Sequence, residues 1–262
     1  MEKTIITLNG KIVTGKEASI PINSEAFLFG YAVFETLRTY HGKLFRISDH
    51  LKRLQESAHI TGFISPWSDQ QIESEMKQIM NHVTWKESKM RIILTKEDLI
   101  IMTEPLHEKE AWMYEKGIKL SRYDGQRTLP QAKNLADILC YSAKTHATKE
   151  DAYDSVLVDS HGMVRECAYA NIFWVKNGQL FTNEKNILHG ITRQTVIEVA
   201  KNCDYKDISF DDLFHADEVF ITQSSSGILP VITIDGHPIG GQEPGPVTKK
   251  LMQAFKLKVW GN

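Results

Sequence analysis

Glu166 is the residue whose position most strongly suggests chemistry. It lies at the end of a predicted strand in "VRECAYANIFWV" (residues 164–175), directly before the most apolar stretch of that region. A buried carboxylate is costly unless a positive group meets it, so Glu166 is a candidate for binding such a group. The alternative is that Glu166 points to water at the strand end, because glutamate is rarely fully buried.

Three further groups have the chemistry of anion binding. Gly190, Ile191 and Thr192 precede a predicted helix, and the N–H groups at the start of a helix suit a phosphate. The hydroxyls of "SSS" (residues 224–226) follow the predicted strand "EVFIT", and Arg53 lies in a predicted helix, off its apolar stripe. Each has a simpler interpretation: Thr192 as an N-cap, the serines as a plain loop and Arg53 as a solvated side chain.

The elements that must position these groups are hairpins and amphipathic helices. Two-residue turns are predicted at Asn9-Gly10, His41-Gly42 and Asn177-Gly178, because such pairs between apolar runs favour tight hairpins. One helix is predicted to begin at the N-cap Ser48, and a second covers "SDQQIESEMKQIMNHV". Helical spacing predicts their buried faces: Leu51, Leu54 and Ala58 in the first, and Ile72, Met76, Ile79 and Met80 in the second. Strands and helices without a repeated βαβ unit favour an α+β fold.

Composition excludes several classes of protein. The 262 residues are 42% hydrophobic, and their formal net charge of -2 gives no footprint for nucleic acid or an anionic membrane. No run of about eighteen apolar residues predicts a membrane span, and "MEKTIITLNGKIV" lacks the apolar core of a signal peptide. Cys140, Cys167 and Cys203 are far apart and the histidines form no metal motif, so no metal site is expected. We expect a reduced, cytoplasmic protein.

Five segments, taken in order, resemble the class IV (fold type IV) pyridoxal-phosphate-dependent aminotransferases. They are "FLFGYAVFETLRTYHGKLFRISDHLKRLQESA", "LPQAKNLADIL", "ECAYANIF", "ILHGITRQTVIEVAK" and "HADEVFIT". The family includes branched-chain and D-amino-acid aminotransferases and 4-amino-4-deoxychorismate lyases, and the similarity extends over essentially the whole chain. It implies two α/β domains with the cofactor in the cleft between them, and a homodimer. A polar, turn-rich segment after "GIKLSRY" places the domain border so that the domains are residues 1–118 and 119–262.

The resemblance also implies pyridoxal 5'-phosphate as the cofactor and assigns its ligands. Glu166 matches the family glutamate that faces the pyridine nitrogen, where an ionised carboxylate favours the protonated ring. The remaining cofactor contacts match Arg53, Ile191, Thr192 and Ser224 at the phosphate, Ser225 beside them, and Leu188 against the ring.

Lys133 is the predicted Schiff-base lysine and catalytic residue. It follows "LPQA" and precedes a helix, as the family lysine does, whereas Lys144 and Lys149 have ordinary surface spacing on that helix. The family usually has an asparagine three residues after the lysine, and Ala136 stands there instead.

The substrate is predicted from the pocket residues that the resemblance implies. Phe34 matches an aromatic residue of the pocket wall, and the Arg-x-His carboxylate trap of D-amino-acid aminotransferases is replaced by "LTKEDL". Arg91 and Lys96 are the candidate partners of the substrate carboxylate; five positions apart, they would point to opposite faces of a regular strand, which favours Arg91 alone. We expect transamination between a small or apolar amino acid, branched-chain or D-, and a 2-keto acid. The alternatives are a lyase that releases pyruvate from aminodeoxychorismate and a non-catalytic cofactor-binding protein.

Overall fold

The computed structural model describes residues 4–261, so residues 1–3 and 262, at the outer ends of the two predicted domains, lie outside it. By their internal contacts the described residues form two compact units. The first unit comprises residues 4–107 together with Gln131–Asp137, and the second comprises Glu108–Pro130 together with residues 138–261. The border between residues 118 and 119 stays a prediction, because compactness alone does not define a domain.

The first unit is an antiparallel sheet with two long helices. Its elements are β1 (Ile5–Leu8), β2 (Lys11–Val13), α1 (Glu25–Phe29), β3 (Val33–Tyr40), β4 (Lys43–Leu44), α2 (Ile47–Thr61), α3 (Asp69–Met80), β5 (Ser88–Leu94) and β6 (Leu99–Pro105). The six described strands lie in the order β2-β1-β6-β5-β3-β4. The predicted helical faces are confirmed, because Leu51, Leu54 and Ala58 of α2 and Ile72, Met76 and Ile79 of α3 are buried in one core with the strands, and Met80 packs against it.

The second unit is built on a larger, mixed sheet. Its elements are α4 (Ala111–Glu115), β7 (Ile118–Asp124), α5 (Ile138–Lys149), β8 (Asp154–Val158), β9 (Met163–Cys167), β10 (Asn171–Lys176), β11 (Gln179–Thr182), α6 (Ile191–Ala200), β12 (Asp204–Tyr205), β13 (Ile208–Ser209), α7 (Phe210–Leu213), β14 (Glu218–Gln223), β15 (Gly227–Ile234), β16 (His237–Pro238) and α8 (Pro246–Trp260). The described strands run in the order β12-β11-β10-β14-β15-β7-β8-β9-β13, with β16 on β15. Parallel pairing of β7 with both β8 and β15 sets this sheet apart from the first.

The three predicted tight hairpins are confirmed. Asn9-Gly10 joins β1 to β2, His41-Gly42 joins β3 to β4, and Asn177-Gly178 joins β10 to β11. In each pair both residues have a positive φ, between 50° and 79°. That conformation matches the right-handed twist of the flanking strands, which is why a residue pair ending in Gly predicts the turn.

Two predicted helix starts differ from the structure. Helix α2 begins at Ile47 after Arg46, whose Nε binds Asp49 Oδ2 at 2.6 Å, so Ser48 lies inside the helix. Helix α6 begins at Ile191 with Gly190 as its N-cap. Thr192 is therefore the second residue of the helix, and its interpretation as the N-cap is wrong. None of the helices between residues 4 and 261 combines the length and the apolar composition that crossing a membrane would require.

Candidate active site

Arg53 is buried in the first unit against Glu35, a carboxylate that sequence reasoning missed. The guanidinium binds Glu35 through two hydrogen bonds, from Nε to Oε1 at 2.6 Å and from Nη2 to Oε2 at 2.8 Å. His50 Nδ1 lies 2.8 Å from the same Oε2. Glu35 is 0% exposed and Arg53 is 8% exposed. The interpretation of Arg53 as a solvated side chain is therefore wrong.

The position of Glu35 follows from the alternation of β3. Val33, Glu35 and Leu37 are buried in turn, so the carboxylate shares the core face of the sheet with apolar neighbours. Burial raises the pKa of Glu35, but the charge of Arg53 and the hydrogen bonds from Arg53 and His50 overcome that effect and hold the pKa well below its usual range. Burial lowers the pKa of His50 despite the nearby carboxylate. The cluster is therefore an ion pair with a neutral imidazole bound to it.

Lys133 is fixed by its main chain to the same helix and strand. Its N–H donates to Ser57 Oγ at 3.1 Å, and Ser57 Oγ donates to the carbonyl of Arg53 at 2.7 Å. Its carbonyl accepts from the N–H of Phe34 at 2.9 Å. The Nζ of Lys133 lies 4.4 Å from the centroid of the Phe34 ring. By contrast, Lys144 lies on α5 and donates to the carbonyl of Tyr153.

The two candidate partners of the substrate carboxylate lie in different surroundings. Arg91, in β5, places its Cζ 5.1 Å from the centroid of the same Phe34 ring. Lys96 lies beyond Leu94, the last residue of β5, so the argument from opposite strand faces does not apply to it. Its Nζ binds Glu25 Oε2 at 2.6 Å. The first unit therefore brings Phe34, Lys133 and Arg91 together and leaves Lys96 with Glu25.

Glu166 is buried in the second unit, at 5% exposure, so its interpretation as a solvated strand end is wrong. Its Oε2 accepts from the N–H of Leu188 at 3.1 Å. Its Oε1 accepts from Arg127 Nη1 at 3.4 Å, and Arg127 Nη1 also donates to the carbonyl of Pro130. Sequence reasoning missed Arg127 because it lies in a polar, turn-rich segment without periodicity. The described chain thus supplies a positive partner for Glu166 from its own residues.

No side chain of residues 4–261 forms a hydrogen-bonded cap at the N-terminus of α6. Its N-cap is Gly190, which offers no oxygen to the first N–H groups of the helix. A Cβ on Gly190 would lie 2.1 Å from Asn171 Oδ1, and Asn171 Nδ2 donates to the carbonyl of Leu188 at 2.7 Å. Asn171 therefore packs where a side chain at Gly190 would stand. The buried residues Ile191 and Thr192 form the first turn of this helix.

Ser224 and Ser225 lie in the turn between β14 and β15, and both are half-buried. Gln223 Oε1 accepts from Tyr153 Oη and from Ser226 Oγ, each at 3.2 Å. Thr222 Oγ1 is buried and has no hydrogen-bond partner among the described residues. The register pairs Thr222 with Asn171, which places both side chains on one face of the sheet.

These donor sets fit pyridoxal 5'-phosphate. The first unit offers a lysine amine and an oriented guanidinium. The second offers a buried carboxylate for a basic ring nitrogen, and an uncapped helix N-terminus and serine hydroxyls for a phosphate. Between residues 4 and 261 no group of three or more His, Cys, Asp and Glu residues is arranged to hold a metal ion.

The sequence matches known aminotransferases. The family model "Amino-transferase class IV" matches residues 32–234. The D-alanine aminotransferase of Bacillus licheniformis is 27% identical over 275 residues, with 97% of this chain and 96% of the relative covered. A putative branched-chain-amino-acid aminotransferase of Methanocaldococcus jannaschii is 30% identical over 273 residues, with 96% and 95% covered.

Solved structures of branched-chain amino acid aminotransferases have the same fold. The T.th. enzyme, solved with pyridoxamine 5'-phosphate, superposes with a TM-score of 0.92 at 26% identity, covering 100% of this chain and 96% of that one. The enzyme from Escherichia coli gives a TM-score of 0.90 at 27% identity, covering 98% and 95%. The predicted fold class is therefore confirmed.

Proposed function

Because the chain belongs to the class IV aminotransferase family, we propose the substrates and residue roles of its reaction from that premise. It is a pyridoxal-phosphate-dependent aminotransferase, which moves an amino group between an amino acid and a 2-keto acid. We propose that the amino acid is small or apolar, branched-chain or D-. The names of the relatives support this class, and so does the aromatic wall that Phe34 places beside Lys133. No observation favours the lyase.

We propose that the cofactor takes its ligands from both units. Lys133 carries it, Glu166 binds the ring nitrogen, and Leu188, whose N–H already holds Glu166, packs against the ring. Arg53, Ile191, Thr192, Ser224 and Ser225 bind the phosphate. Phe34 and Arg91 bind the substrate, with Lys96 as the other candidate for its carboxylate.

The reaction needs a proton to leave the α-carbon of the substrate. When bound, pyridoxal phosphate supplies the electron sink that stabilises the negative charge left on that carbon. In our proposal Lys133 Nζ would accept this proton and later donate it again, so one amine would do both the acid and the base work. Glu166, held by Leu188 and Arg127, keeps a proton on the ring nitrogen.

The observation that carries this proposal is the main-chain fixation of Lys133 to α2 and β3, beside Arg53. In the test, wild type, Lys133→Ala and Lys144→Ala react with amino acids, and the cofactor absorbance is followed. The wild type should convert the cofactor to its pyridoxamine form and need a keto acid to turn over. Lys133→Ala should be slower by at least about a hundredfold, because general acid–base catalysis contributes on that scale. Lys144→Ala should stay close to wild type.

Borohydride reduction of the holoenzyme gives an independent check, since it should attach the cofactor to Lys133. Attachment to another lysine would overturn the assignment. Release of pyruvate from aminodeoxychorismate without any keto-acid acceptor would support the lyase instead.

We further propose that the enzyme is a cytoplasmic homodimer. The family resemblance supports the dimer, and so does a group of exposed apolar side chains in and before α1, here called the α1 patch: Ile20, Ile22, Phe27, Leu28 and Phe29.

A further inference from the structure

Glu35 and His50 are buried titratable residues that the proposed reaction does not use. Glu35 accepts two hydrogen bonds from Arg53, one from His50 and one from the N–H of Thr36 at 3.2 Å. His50 is 3% exposed. A buried ion pair is a poor source of stability, because desolvation offsets the attraction between its charges. The geometry of the cluster therefore points to orientation as its purpose.

We propose that Glu35 is a positioning residue that fixes the guanidinium of Arg53 for phosphate binding. This inference rests on the proposed role of Arg53. Because Nε and Nη2 bind the two oxygens of one carboxylate, the plane of the guanidinium is set by Glu35.

His50 completes the support of the carboxylate. Its Nδ1 binds Oε2, the same oxygen that accepts from Arg53 Nη2, so Glu35 is held from two positions on α2. Because burial lowers the pKa of His50, the imidazole is a neutral donor and adds no charge. Glu35 and Arg53 then sum to zero charge. The affinity that Arg53 gives to a phosphate therefore depends on direction rather than on net charge.

For Glu35→Gln, a positioning role and an effect of charge alone predict opposite changes in phosphate affinity. Glu35→Gln removes a negative charge beside Arg53, so a charge-based view expects tighter phosphate binding. Positioning predicts weaker binding, because the guanidinium loses its bidentate partner. Glu35→Asp keeps the charge but shortens the side chain, and positioning predicts weaker binding for it too.

The test measures dissociation constants of pyridoxal 5'-phosphate and of pyridoxal, which lacks the phosphate, for the full-length apoprotein by absorbance titration. For both Glu35 variants we expect the constant for pyridoxal 5'-phosphate to rise at least tenfold and that for pyridoxal to change less than twofold. Inorganic phosphate should compete correspondingly less well. General damage to the fold would raise both constants together, so the ratio of the two isolates the phosphate.

Glu87→Gln is the matched control, since Glu87 is also a buried carboxylate of the first unit but accepts from Thr39 Oγ1 and the N–H of Gly42. It should leave the ratio unchanged. The variant Arg53→Lys distinguishes the positioning role of Glu35 from the proposed phosphate role of Arg53, on which it rests. The positioning role is wrong if Arg53→Lys changes the ratio of the two dissociation constants and the Glu35 variants leave it unchanged. It is also wrong if the Glu35 variants bind phosphate more tightly than the wild type. If Arg53→Lys leaves the ratio unchanged, both the phosphate role of Arg53 and the inference are overturned.

Discussion

The ring of Phe34 has two cationic neighbours, Lys133 Nζ at 4.4 Å and Arg91 Cζ at 5.1 Å from its centroid. In β3 the side chain of Phe34 alternates with that of the buried Glu35, so it lies on the other face of the sheet from the ion pair. Arg91 pairs with Thr36 across the strands, which places it on the same face as Phe34. Of the two candidates, Arg91 is therefore the one that shares surroundings with the proposed catalytic amine.

Replacing Arg91 by alanine should lower kcat/KM for amino acids by roughly ten- to a hundredfold, because a charge-assisted hydrogen bond contributes about 1.5–3 kcal/mol. Lys96→Ala is the comparison and should stay within about twofold, because Lys96 Nζ binds Glu25 instead. Half-reaction rates with L- and D-amino acids and (R)-amines measure both variants. Equal rates for Arg91→Ala and wild type, or a larger loss in Lys96→Ala, would contradict the assignment.

At the scale of elements, α6 and α8 begin in the same way. Each has a glycine N-cap with a negative φ, Gly190 at -64° and Gly245 at -76°. A Cβ on Gly190 would lie 2.1 Å from Asn171 Oδ1, and one on Gly245 would lie 2.1 Å from Glu218 Cδ. The two helix N-termini differ in the side chains that accept hydrogen bonds from their first N–H groups. Glu218 accepts from Val247 and Thr248 N–H and so caps α8, whereas the hydrogen bonds between described residues include no side chain that accepts from the first N–H groups of α6.

This pair gives a matched experiment on the proposed phosphate site. Gly190→Ala should displace Asn171 at a cost of about 1–3 kcal/mol and raise the dissociation constant of pyridoxal 5'-phosphate about tenfold or more. Gly245→Ala should lower the free energy of unfolding by a similar amount but leave that dissociation constant within about twofold. Cofactor titration and urea unfolding measure the two effects. Equal losses of cofactor affinity in both variants would contradict a phosphate role for α6.

At the scale of the whole molecule, local rules were sufficient for hairpins and buried helix faces. Asn9-Gly10 and the stripe of α3 could be predicted because neighbouring residues determine them. Arg127 could not, because it meets Glu166 across 39 residues, and nothing in its turn-rich segment indicates which strand it faces. The expectation that Lys96 continues the strand of Arg91 was wrong, because the end of β5 at Leu94 was not predictable from the sequence. The sequence does contain a signal for Glu35. This residue alternates with apolar residues of β3, and that pattern indicates a carboxylate on the buried face of the strand.

The proposed homodimer is tested through the α1 patch. Phe27 and Phe29 are 64% and 71% exposed, and burial of such a ring against a second copy contributes about 1.5–3 kcal/mol. The double variant Phe27→Ser/Phe29→Ser should therefore raise the dimer dissociation constant about a hundredfold or more. Ile64→Ser is the control, because Ile64 is also exposed but lies outside the patch. A wild type that light scattering shows to be a fully active monomer at micromolar concentration would refute the dimer.

The hydroxyl of Ser57 links the main chains of two residues of the proposed site. It accepts from the main chain of Lys133 and donates to the main chain of Arg53, so both residues are attached to one turn of α2. Lys133 belongs to none of the described helices or strands, yet its main chain is bonded to both α2 and β3. One hydroxyl thereby couples a residue outside the regular elements to the helix that carries Arg53.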